Sequence, residues 1–181
     1  MSVSIVYETH STSTDNEAGI ASGWLPGRLS EIGREQATEL GRRRRDDGIA
    51  VVFSSDLARA VETAAIAFEG SGIAVRQDAR LRECNYGDLN GNPASVVRDQ
   101  RLERVDVPFP GGQSYREVAE QTREFLRELP GEWDGQRVLI IAHAANRWAL
   151  EHLLEGKRLE DLVQAEFEWR PGWEYVLPDD W

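Results

Sequence analysis

His10 stands where a short apolar run, Val3-Ser4-Ile5-Val6-Tyr7-Glu8, meets a hydroxyl-rich stretch from Thr9 to Asn16. A histidine at a strand end, followed by a loop of small donors, can hold a phosphate. Three later segments carry what such a histidine needs. Arg59 can offer a planar fork of N–H donors to two phosphate oxygens. His143 follows the apolar run Val138-Leu139-Ile140-Ile141-Ala142 and can donate to a third. Glu83 is a carboxyl that can give and take a proton. Each also has a bland reading: a satisfied strand-end histidine, a helix-bracing arginine, an exposed loop carboxylate. Glu17, Glu31 and Asp88 are alternative acids. His152, beside Leu153 and Leu154, reads as structural, and Cys84 as a small buried apolar residue.

These side chains need elements to position them, and strand and helix signals alternate along the chain. Strand 3–8 is followed by a loop with Gly19, Gly23, Pro26 and Gly27, then by a helix capped at Ser30 and running to about Arg45. The run 49–53 reads as a buried parallel strand, and Ser54-Ser55-Asp56 opens a second helix whose inner face is Leu57, Ala60, Val61, Ala64 and Phe68. A weak strand is predicted at 73–75 and an irregular stretch from Leu81 to Gly112. Ser114 caps a clean amphipathic helix. The strongest strand is 138–142, with a helix from about 145 to 154, and a terminal strand pair is predicted at 166–169 and 173–177 around Arg170-Pro171-Gly172. The pattern predicts one domain, residues 1–181, of three-layer α/β/α architecture with a mostly parallel central sheet. Ligands of such sheets sit beyond the carboxyl ends of the strands, where His10, Ser54–Asp56 and His143 all fall.

Composition narrows the function classes. The chain has 181 residues, a net charge of −11 and one cysteine. The acidic balance argues against a nucleic-acid surface. The run Arg42 to Arg45 reads as a solvated helix end near the negative pole of the helix dipole. No apolar run is long enough for a membrane span, no secretory leader is visible, and a cytoplasmic location is expected. No cluster at metal-ligand spacing occurs, so no metal or other cofactor is implied.

Five segments in order resemble the histidine phosphatase superfamily, or phosphoglycerate mutase-like family. They are the stretch from Asn16 through Ser22-Gly23 to Ala37, Ser54–Ala64, Leu81–Gly87, Pro110–Tyr115, and Ile141–His143. The resemblance implies in-line attack by His10, a covalent phosphohistidine, and Glu83 as the acid serving the leaving oxygen. It implies phosphate or substrate contacts from Arg59, His143, Thr9, Ser11, Asn16, Ser22, Gly23 and Ala144. The first motif departs from the family's arginine-histidine-glycine: here it is Thr9-His10-Ser11, and Ala144-Ala145 replaces a pair of glycines. Losing a donor aimed at transition-state charge costs roughly 10²–10³ in rate. Arg28, Arg82 and Arg147 are cations near the rim, and Arg28 or Arg82 is a candidate replacement. Three functions follow: a phosphomonoester hydrolase acting on a small phosphorylated metabolite, a degenerate member that binds a phosphorylated ligand with little turnover, and a phosphoglycerate mutase. The short stretch from Cys84 to Pro110 favours hydrolysis.

Overall fold

A computed structural model describes residues 1–181. The order is β1 (Val3–Thr9), α1 (Thr14–Ala18), β2 (Ile20–Ala21), α2 (Glu31–Arg44), β3 (Val51–Ser54), α3 (Ala58–Phe68), β4 (Val75–Gln77), β5 (Asn92–Pro93), α4 (Ala94–Gln100), α5 (Tyr115–Trp133), β6 (Arg137–Ala142), α6 (Ala144–Glu155), α7 (Leu159–Leu162) and β7 (Trp173–Leu177). Five strands form one sheet in the order β4-β3-β6-β1-β7. All neighbours are parallel except β1 and β7, which pair antiparallel.

The sheet is covered on both faces, which is why β6 reads as an unbroken apolar run. Val138, Ile140 and Ala142 pack with Ile5, Tyr7 and Phe53 against Phe125 and Leu126 of α5 and Leu150 of α6. Leu139 and Ile141 face the other way, with Val6 and Val52, onto Leu40 of α2 and Ala64, Ala67 and Phe68 of α3. A third cluster joins α4, α5, α6 and α7 beneath the 84–109 segment, with Phe109, Tyr115 and Trp148 at its centre. It fixes the Glu83 segment over the end of the sheet.

Several local expectations are corrected. Residues 166–169 form no strand, and β7 pairs with β1 rather than closing a hairpin. β1 offers a long edge partner, whereas the exposed 166–169 segment has no neighbour to complete a ladder. Helix α3 starts at Ala58, with Leu57 at the cap position, because Ser54 and Ser55 remain on the strand end. The stretch predicted irregular contains α4, and the hydroxyl loop after His10 folds into α1, closed by a reciprocal Ser13–Asn16 capping box. Arg42 and Arg45 are exposed, as a solvated helix end requires, while Arg43 and Arg44 are partly buried. Arg43 and Arg44 reach Glu8, and Arg45 donates to the carbonyls of Ala67 and Glu69. No helix is long and apolar enough to cross a membrane.

Candidate active site

β1 and β6 run side by side, Thr9 opposite Ala142, so their two following histidines emerge together. The rings of His10 and His143 lie 5.0 Å apart. The backbone N–H of His10 still donates to Ala142 O at 2.9 Å, which extends the ladder to His10 itself. Nδ1 of His10 is 2.7 Å from the carbonyl of Ser11. That contact places the proton on Nδ1 and leaves Nε2 bare. Burial, and then the Arg59 charge, lower the His10 pKa from its ordinary 6.5 to about 3, with the Ser11 carbonyl opposing them. The imidazole is therefore neutral at ordinary pH.

His143 is also held neutral. Burial, Arg59 and His10 push its pKa well below 6.5. Two histidines and an arginine share one buried pocket, and the neutral ring is the form that results. Its Nε2 lies 2.7 Å from Ser55 Oγ, which itself accepts from the Leu57 N–H. Ser55 Oγ can give its hydrogen to Nε2, and in that tautomer the ring's own hydrogen sits on Nδ1. That nitrogen is buried without a partner. An unpaired buried donor is costly unless a ligand completes it.

Arg59 is 3% exposed. It donates through Nη1 to Leu25 O at 2.9 Å and through Nη2 to Gly23 O at 2.8 Å. It braces the 23–26 loop, and its Nε–H and one Nη2 hydrogen stay free for a second acceptor. Glu83 is buried, and burial raises its pKa above 4.5 against the opposing pull of the Cys84 N–H, Arg59 and Arg101. Its Oε1 accepts from the Cys84 N–H at 2.7 Å, and its backbone carbonyl accepts from Trp24 Nε1.

One cavity of about 860 Å³ is lined by His10, Arg59, Glu83 and His143, and also by Thr9, Ser11, Asn16, Ser22, Gly23 and Ala144. Ser11 is committed through its N–H to Thr63 Oγ1, and Ser22 donates from Oγ to Asp15. Arg28 and Arg82 do not line it. Arg82 is turned away by a two-pronged ion pair to Asp56, both contacts at 2.6 Å, and stacks on Trp24. Arg28 is exposed on the loop. Arg147 packs over Trp173 and pairs with Glu151. Tyr86 lines the cavity, whereas Trp24 does not.

Sequence reasoning missed three partners and two cations. Ser55 orients the His143 ring through Nε2. Asn146 accepts from the His143 N–H and donates to Arg82 O at 3.0 Å, tying the β6 end to the Glu83 segment. Gln36 of α2 accepts from the Thr12 N–H and holds the His10 loop. Arg43 and Arg101 line the cavity, Arg43 paired with Glu8 and Arg101 packed over Trp148. The Asn three residues after His143 carried a legible capping signal; the others lie far apart in the chain.

The chain matches the Histidine phosphatase superfamily (branch 1) over residues 9–169. It is 33% identical to a protein of Chelativorans sp. (strain BNC1) named 2,3-bisphosphoglycerate-dependent phosphoglycerate mutase, over 92% of this chain and 88% of that one. Among solved structures it is similar to Bacillus stearothermophilus YhfR, with 25% identity, a TM-score of 0.82 and coverage of 93% and 88%. It is also similar to mycobacterial glucosyl-3-phosphoglycerate phosphatase, with 28% identity, a TM-score of 0.78 and coverage of 90% and 84%. The mostly parallel sheet, the paired strand-end histidines and these likenesses lead to one statement of kinship: the chain belongs to the histidine phosphatase superfamily.

Proposed function

We propose that the chain is a phosphomonoester hydrolase that acts on a small phosphorylated metabolite through a phosphohistidine on His10. The observation that carries this reading is the state of the two histidines. His10 presents a bare Nε2 on a neutral ring, and His143 presents a buried, unpartnered Nδ1 beside it, which carries the ring hydrogen when Ser55 donates to Nε2. Nε2 attacks phosphorus in line. The His143 Nδ1–H and the free hydrogens of Arg59 steady the equatorial oxygens. The carboxyl of Glu83, raised by burial, protonates the leaving oxygen and then takes a proton from the water that splits the P–N bond. Thr9, Ser11, Asn16, Ser22, Gly23 and Ala144 shape the walls around the phosphate.

The test is release of phosphate from 4-nitrophenyl phosphate at mildly acidic pH, with phosphate trapped on His10 and detected by mass spectrometry under alkaline conditions. Release abolished in His10→Ala supports hydrolysis. Equal inertness of wild type and His10→Ala across sugar, nucleotide and glycerate phosphates leaves the phosphate-binding reading. The relatives named as mutases favour a second reading. Conversion of 3-phosphoglycerate into its 2-isomer in the presence of 2,3-bisphosphoglycerate, without net phosphate release, would select it.

A further inference from the structure

The sheet order separates the donors from an open groove. β6 and β3 lie on one side of β1, and β7 lies on the other. His143 follows β6 and Arg59 follows β3, so these donors stand on one flank of His10. The same cavity is also lined by Thr9 at the end of β1, by Phe167 and Trp169 in the segment entering β7, and by Ile32 of α2. These three side chains are 56%, 63% and 56% exposed. Uncovered large apolar groups gathered at the mouth of a polar site mark a binding surface. The one guanidinium there, Arg43, is held by both oxygens of Glu8 at 3.1 and 2.8 Å and lies over the Trp169 ring. Its donors are engaged by a carboxylate, which it shares with Arg44, before any ligand arrives.

A monoester dianion asks for donors on every side. A phosphodiester carries one negative charge, and one position around its phosphorus is an ester oxygen bearing an organic group. The hydroxyl of Thr9 suits the smaller charge, and the groove beyond it suits the organic group. We propose that the site also hydrolyses phosphodiesters, with an apolar or aromatic second substituent seated against Phe167, Trp169 and Ile32. This rests on the reading of His10 as nucleophile. In the first step the His10 Nε2–P bond forms, one P–O bond breaks, and the Glu83 proton goes to the departing alkoxide. In the second, water attacks phosphorus, its proton returns to Glu83, and the P–N bond breaks. A phosphomonoester and neutral His10 are released.

The experiment compares bis(4-nitrophenyl) phosphate with 4-nitrophenyl phosphate as substrates for wild type, Thr9→Arg, Trp169→Ala and His10→Ala. Wild type is expected to cleave the diester with kcat/KM at least equal to that for the monoester, with no release in His10→Ala. Thr9→Arg supplies a charge that serves the dianion and fills the groove; the diester-to-monoester ratio should fall at least about tenfold. Trp169→Ala removes an exposed ring that the core does not need for folding, and should raise the diester KM relative to the monoester by about tenfold. Monoester cleavage with diester turnover a hundredfold lower, or a ratio unmoved in both variants, overturns the proposal and leaves the hydrolase reading standing. No His10-dependent release from either ester overturns both.

Discussion

His10 and Glu83 have been moved in directions that suit opposite tasks. His10 loses its proton down to about 3, and Glu83 keeps its proton above the ordinary 4.5. Above about 3 and below the raised Glu83 pKa, His10 is neutral and Glu83 protonated, the forms the proposed mechanism requires. The kcat/KM profile for an aryl phosphate should therefore fall on the alkaline side as the raised Glu83 carboxyl ionises, and on the acid side only as pH approaches about 3. Glu83→Gln should remove the alkaline limb along with most of the rate, measured on phosphate release. Ser55→Ala frees His143 Nε2 and removes the hydrogen bond that orients the ring. A fall of about tenfold in kcat/KM with a small change in Tm is expected, since one hydrogen bond contributes about 1 kcal/mol. Steady-state kinetics beside a thermal melt would show whether the effect is catalytic or only structural.

At the scale of elements, α2 controls where His10 sits. Its Gly33 packs so tightly on the His10 loop that a Cβ there would lie 1.9 Å from the Thr12 carbonyl oxygen. Backbone cannot yield as a side-chain tip can, so the helix or the loop must move. Gly33→Ala should cost about 1–3 kcal/mol in urea unfolding. Activity should fall further than that loss explains, because Gln36 on the same helix anchors Thr12. Asn146 does a parallel job on the other side, joining α6 to the Glu83 segment. Asn146→Ala leaves the buried His143 N–H unpaired and releases the Arg82 carbonyl. Stability should drop by about 1–3 kcal/mol in the same unfolding assay.

For the molecule as a whole, acid sensitivity follows from what is buried. A histidine with a lowered folded pKa must take up a proton to match its unfolded form, so stability falls as pH drops below 6.5 and continues falling toward about 3 for His10. His143 acts in the same sense. Glu83 opposes them over a window just above 4.5, where the folded carboxyl keeps a proton that the unfolded one has lost. Asp56 and Asp78, lowered by their arginine partners, begin to lose their contribution only below 3.8. Urea midpoints measured at successive pH values should decline before the carboxylates titrate, and His10→Asn should flatten that early decline. An unchanged slope in the variant would remove His10 from this account.

The parallel sheet, its flanking helices and the strand ends bearing His10 and His143 were legible in the sequence, because continuous apolar runs and 3.6-residue periodicity report burial directly. The resemblance of five ordered segments supplied Arg59 and Glu83. What the sequence could not decide was which cations face the pocket. Arg28 and Arg82 were the near candidates, yet Asp56 holds Arg82 away, while Arg43 and Arg101 line the cavity from elements distant in the chain. Side-chain direction depends on partners brought close only by folding, and no local pattern encodes them. For the same reason Thr9 read as a missing charge. Only the tertiary structure brought Thr9 into one cavity with Phe167 and Trp169, because β7 pairs with β1 and the segment that enters β7 comes with it.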